Sequence, residues 1–124
     1  MRLLLDTHAA LWLLSRDQRL GERAREHLFD DTNRVFLSAA VVWEIAIKRS
    51  LGKLVVPDEY LSLLLGAGVQ PLPVSIEHAA AVENLPWHHR DPFDRLLVAQ
   101  AAAERAALVS GDEALRPYGV ALVW

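Results

Sequence analysis

Apolar and polar positions alternate along the chain in blocks of two kinds. Residues 2–5, RLLL, form a short apolar run that predicts a buried strand. Residues 7–15 are apolar nearly all round, which predicts a helix covered on both sides. A more polar helix is expected over 21–30, with Gly21 near its start. Val35, Phe36 and Leu37 mark a second strand. Ser38 is placed to cap a helix at 40–50, and Gly52 ends that helix. Pro57 and Asp58 introduce a helix at 58–66, closed by Gly66 and Gly68. Residues 69–74 read as a weaker strand, because Pro71 and Pro73 restrict its hydrogen bonding and push it to a sheet edge. A helix at 75–84, a loop LPWHHRDP, a helix at 92–105 and strands at 107–110 and 119–123 complete the pattern. Strands alternating with helices predict an α/β fold, a parallel sheet with helices on both faces.

Composition narrows the picture. The chain has 124 residues, the size of a single domain covering 1–124, and 52% of them are apolar, enough to fold without cross-links. With no cysteine, disulfides, thiolate zinc sites and cysteine nucleophiles are excluded. No apolar stretch reaches the roughly 18 residues of a membrane span. The N-terminal run lacks a signal-peptide pattern, so a cytoplasmic location is expected. A formal net charge of −3 argues against coating nucleic acid by bulk charge, though a local basic rim remains compatible with a nuclease.

Four acids stand where folding alone explains them poorly: Asp6, Glu44, Asp94 and Asp112. Asp6 ends the first apolar run and doubles as a plausible helix cap, a task that Thr7 could also perform. Glu44 has Ala40, Val41, Ile47 and Lys48 as its helical neighbours, so it lies on a largely apolar stripe. A surface pair with Lys48 would be worth only ~0.3–0.5 kcal/mol. In DPFD, Asp91 is the natural N-cap, with Pro92 at the first helical position. Asp94 then falls one turn inside, with Leu97 and Val98 as neighbours. Asp112 follows the run ALVSG, with Ser110 beside it. In an open parallel sheet, acids at strand ends and helix starts gather on one edge. Their repulsion calls for a hard divalent cation, magnesium or manganese.

The blocks LLLDTHAALWLL, SAAVVWEIAIKRSLGKL, HHRDPFDRLLVAQA, LVSGDEAL and YGVALVW together resemble the PIN-domain ribonucleases, and more narrowly the VapC-type toxins of bacterial toxin–antitoxin pairs. The resemblance covers almost the whole chain. It implies a three-layer α/β/α PIN-like fold with a mostly parallel central sheet. It also implies RNA cleavage with Mg2+ or Mn2+, leaving 5′-phosphate and 3′-hydroxyl ends. Matched by motif, Asp6, Glu44, Asp94 and Asp112 carry over as catalytic and metal-binding acids. Asp6 and Asp94 are taken as direct ligands, and Ser110, Thr7 and Asp91 as accessory candidates. One metal ion or two are both compatible with the motif.

Lys48, Arg49, Arg90 and Arg95 are candidate RNA contacts, with Lys53, His8, His88 and His89 behind them. Adjacent histidines without cysteines or a helical partner make a poor zinc site. The resemblance further implies a homodimer and a VapB-type antitoxin wrapping an apolar groove, with any DNA binding left to the antitoxin. Trp12, Trp43, Leu51 and the YLSLLL segment are the apolar surface available for association. Two other classes fit less well. A receiver-like signalling domain needs an acid pair after the first strand, where this chain has Asp6-Thr7. A haloacid-dehalogenase-type phosphatase needs an acid where His8 stands. A non-catalytic binding module on the same scaffold is the remaining alternative.

Overall fold

A computed structural model describes all residues, 1–124. Five strands, β1 (Arg2–Leu5), β2 (Arg34–Ser38), β3 (Gln70–Leu72), β4 (Ala107–Val109) and β5 (Leu122–Val123), form one sheet in the order β3-β2-β1-β4-β5. Every pairing is parallel, so the sheet is wholly and not mostly parallel. Six helices flank it: α1 (Thr7–Ser15), α2 (Glu22–Leu28), α3 (Ala39–Ser50), α4 (Tyr60–Gly66), α5 (Ile76–Ala81) and α6 (Pro92–Glu104). The fold class is the three-layer α/β/α arrangement expected.

Burial explains the strand order. Leu3, Leu4 and Leu5 of β1 are fully buried, as are Leu108 and Val109 of β4, so these strands take the middle of the sheet. β3 carries Pro71 and lies at an edge, as its sequence predicts. The chain runs from β1 outward to β3, then crosses to β4 beside β1. This order reverses at β1 and β4, and the carboxyl ends there form the crevice where ligands bind in open α/β sheets.

Local signals set the boundaries. Ser38 caps α3 by accepting from the Ala40 N–H (3.0 Å). Asp91 caps α6, its Oδ1 accepting from Phe93 (2.8 Å) and Asp94 (3.1 Å), and Pro92 opens the helix. The expected helix at 75–84 divides, because the α-helix stops at Ala81 and a 3₁₀ turn, Val82–Asn84, continues it. A second 3₁₀ turn, Glu113–Tyr118, carries Pro117 and shortens the last strand to two residues.

Two expectations are corrected. α1 is not covered on both sides. Only Thr7, Ala9 and Ala10 are buried in it, while the half-buried Leu13 and Leu14 line a groove that mixes Leu28, Leu63 and Val69 with Arg16, Asp30 and Arg34. Arg95, expected among the RNA-contacting cations, is 3% exposed. Its guanidinium donates to the carbonyls of Val82, Leu85 and Pro86 and to the Tyr118 hydroxyl (2.9–3.3 Å). It also lies 3.8 Å from the Trp87 ring centroid. A guanidinium buried like this, with both terminal nitrogens bound to internal acceptors, is not placed to meet a phosphate. It pins the 82–89 segment against α6.

Replacing Arg95 with Ala should therefore cost about 2–4 kcal/mol, because several buried acceptors lose their donor. Denaturant melts and proteolysis should show early cleavage at 82–89. A variant as stable as the parent would contradict this role.

Candidate metal centre

Each acid reaches the crevice from a different element. Asp6 follows β1 directly, and its backbone N–H donates to the Val109 carbonyl (3.1 Å), fastening it to β4. Its Oδ1 accepts from the Ala9 N–H (2.7 Å), so Asp6, and not Thr7, caps α1. Burial raises the Asp6 pKa above its ordinary value, opposed by the Ser110 hydroxyl and the Ala9 N–H. One residue thus serves the cap with one oxygen while it stands buried at the sheet edge.

Glu44 lies one and a half turns into α3 and is 8% exposed. Thr7, freed from capping, donates its hydroxyl to Glu44 Oε1 (2.5 Å). Lys48 Nζ meets Oε2 at 2.8 Å. The helical pair with Lys48 exists, and so does the burial inferred from the apolar stripe. Lys48 is consequently committed to the acid centre.

Asp94 and Asp112 meet through a residue that the sequence placed elsewhere. His89 Nδ1 accepts from the Asp91 N–H (3.0 Å), so the neutral ring carries its proton on Nε2. That Nε2 lies 2.8 Å from Asp112 Oδ2 and 3.5 Å from Asp94 Oδ2. Ligand atoms of His89, Asp94 and Asp112 all fall within 4.8 Å of one another. Asp112 Oδ1 meanwhile caps the last 3₁₀ turn through Ala114 (3.0 Å), and its N–H donates to Ser110 Oγ (3.1 Å). Sequence reasoning counts His89 only among the substrate-facing side chains and dismisses it with His88 as a zinc site. The clue it left was its place two residues before the α6 cap, where the loop turns its ring back onto Asp91.

Electrostatics tie the acids into one unit. Asp94 has its pKa pushed up to about 7, chiefly by burial, then by the charge on Asp91, with Asp6 and Glu44 adding and His89 opposing. Lys48 and His89 are the only basic side chains that pair with these acids. The donor set is hard carboxylate oxygen in excess negative charge, with the His89 ring committed to the Asp91 N–H and to the acids rather than to a cation. That set fits a divalent cation such as magnesium or manganese.

The other candidate cations are dispersed. Arg49 pairs with Asp58 (2.5 Å) and faces the Tyr60 ring. Arg90 and Lys53 are exposed and form no ion pair. His88 packs edge-on against Tyr118. Beside the acids a cleft of about 530 Å³ opens, lined by Asp6 and Asp112 and by His8, Trp12, Arg19 and Trp124.

The Asp94 shift sets a pH dependence. Its folded pKa lies above the unfolded value of 3.8, so the folded state holds the proton more tightly. That contribution is full below pH ~4 and is lost as pH rises through ~7. In chelator, the parent should lose stability relative to Asp94→Asn between about pH 4 and 7. The difference should be about 1–2 kcal/mol after solvent screening. Parallel melting curves for the two proteins across that range would refute the shift.

With the geometry defined, likeness to known proteins is informative. The family model described as the PIN domain matches residues 3–120. Similar solved structures include VapBC2 from Rickettsia felis bound to a promoter DNA fragment. The match has a TM-score of 0.72 and 16% identity, covering 98% of this chain and 97% of that one. DNA-bound VapBC from Salmonella typhimurium matches at a TM-score of 0.71 and 14% identity, over 98% and 96% of the two chains. VapBC-1 from nontypeable Haemophilus influenzae matches at 0.67 and 17%, over 98% and 96%. At these identities the likeness speaks for the fold. No curated protein sequence matches the chain. The family match over nearly the whole length, with an all-parallel five-stranded sheet beneath it, makes this chain a member of the PIN-domain family.

Proposed function

We propose that the protein is a VapC-type toxin, a metal-dependent endoribonuclease that hydrolyses RNA phosphodiester bonds and is held in check by a VapB-type antitoxin. The observation that carries this reading is the placement of four acids from separate elements beside the carboxyl edge of β1 and β4, where Asp94 lies within 4.8 Å of Asp112 and His89 and feels the charges of Asp6 and Glu44. Acids so placed destabilise the metal-free fold and gain a purpose only when a cation joins them. The same scaffold without chemistry, as a binding module, would leave the raised Asp94 pKa without a use.

In this reading Asp6, Asp94 and Asp112 hold Mg2+ or Mn2+. Glu44 stands behind them, its two oxygens oriented by Thr7 and Lys48. When bound, the metal polarises a phosphoryl oxygen and lowers the pKa of a coordinated water, the chemistry that in-line phosphodiester hydrolysis requires. The protein's own part is positional. Caps at Asp6 and Asp112 fix one carboxylate oxygen each, while His89 orients the second oxygen of Asp112 and the Ser110 hydroxyl steadies Asp6. His89 keeps Asp94 and Asp112 aimed at one point. Exposed Arg90, on the loop leading to Asp91, is the cation best placed to meet RNA. Arg49 is less available because Asp58 holds it.

The groove of about 660 Å³ that joins Leu13, Leu14, Leu28 and Leu63 to Arg16, Asp30 and Arg34 suits an amphipathic antitoxin segment. Exposed Trp43 and Leu51, each 61% exposed, leave apolar surface for a homodimer. DNA recognition would belong to the antitoxin, and a cytoplasmic setting follows from such a role. No helix is long and apolar enough to cross a membrane.

The test is cleavage of RNA by purified protein. Activity should require Mg2+ or Mn2+ and stop in excess chelator. Asp94→Ser should fall to background, since a hydroxyl cannot replace a carboxylate at the metal. Asp91→Ser should stay active, because serine also caps, at a stability cost under ~1 kcal/mol. If the two variants exchange behaviour, the ligand assignment fails even with cleavage intact. Full activity in chelator would dismiss the metal mechanism.

A further inference from the structure

We infer that the cleft beside the acids is a nucleobase subsite, in which an unstacked base of single-stranded RNA packs on His8 next to the scissile phosphate. The inference rests on the RNA cleavage proposed above and adds where the substrate is read. His8 is exposed on the first turn of α1, two residues past Asp6. Its ring stacks on Trp12, one turn later, with centroids 5.1 Å apart and planes 19° from parallel. Arg19 covers Trp12 with its guanidinium at 4.7 Å, and Trp124 tilts against Trp12 at 5.7 Å. The result is a layered π surface that opens into the cleft.

Asp6, Gly111 and Asp112 complete the lining, so the π surface and the acids share one space. Gly111 sets their separation. A Cβ there would lie 2.7 Å from Trp124 Cε2, so only glycine lets the 110–112 backbone close on the indole. A volume of about 530 Å³ lies within the roughly 300–1,000 Å³ usual for small-molecule sites. The chemistry selects the occupant. Every base offers a π face, and stacking on aromatic or imidazole rings is how proteins hold single-stranded RNA. Asp17 occupies Nε and Nη2 of Arg19 (3.1 and 2.7 Å), leaving Nη1 for a base edge or phosphate. Asp6 and Asp112 disfavour a phosphate within the cleft itself, so the base and not the backbone takes the aromatic side.

The test measures affinity apart from catalysis. Fluorescence anisotropy would follow a labelled single-stranded RNA oligonucleotide binding to the full chain in excess chelator. His8→Ala should weaken binding about 10-fold, within the range for one lost base stack. His8→Phe should restore it, because the ring and not the charge is needed. A fully abasic chain of the same length should bind more weakly, and equally to the parent and to His8→Ala. Equal RNA affinity of parent and His8→Ala would overturn the subsite, as expected if only a protein partner used this cleft. An His8→Ala effect persisting on the abasic chain would also overturn it, pointing to phosphate contact instead. If the parent shows no metal-dependent RNA cleavage, the underlying reading fails and takes the subsite with it.

Discussion

Mutual repulsion among carboxylates at one sheet edge is the constraint on which this structure depends. The order β3-β2-β1-β4-β5 brings the ends of β1 and β4 side by side, and the starts of α3 and α6 face the same crevice. Asp6, Glu44, Asp94 and Asp112 are thereby drawn together. The cost is visible at Asp94, whose proton is held to about pH 7 by burial and by its acidic neighbours. A fold selected for stability alone would place an amide or an apolar side chain there. The surrounding structure is best understood as what tolerates this repulsion.

Three devices do so. Helix starts absorb negative charge, and Asp6, Asp91 and Asp112 each cap a helix or 3₁₀ turn. Thr7 and Lys48 supply donors to Glu44, which caps no helix, and His89 faces Asp94 and Asp112. Behind the site, Arg95 ties the 82–89 segment to α6 and to Tyr118, so His89 arrives on a fixed loop. Tyr118 completes the tie by accepting from the His89 N–H (3.0 Å). The site is therefore rigid before any ligand enters, and rigidity is what a hard cation with strict geometry requires.

Much of this was legible in the chain. Apolar runs ending in Asp6 and Ser110 announced buried parallel strands, and DP announced the cap at Asp91. Glu44 on an apolar stripe announced a buried acid. What stayed hidden was fixed by contacts distant in sequence. His89 sits in a loop without periodicity, and its position depends on Tyr118, 29 residues away. Arg95 looked like a surface cation because arginine usually is one, and only the loop folding back over α6 buries it. The open side of α1 was misjudged because an all-apolar helix signals burial without saying whether this chain or another provides the cover. The wholly parallel sheet followed from the short last strand, which returns through a 3₁₀ turn beside β4.

The central claim is that the clustered carboxylates are a divalent-cation site. Calorimetric titration of Mn2+ into the purified protein at pH 7, beside Asp94→Asn, tests it most directly. The account requires saturable binding by the parent that is lost or greatly weakened in the variant. Equal binding by the two proteins, or none by the parent, would contradict it.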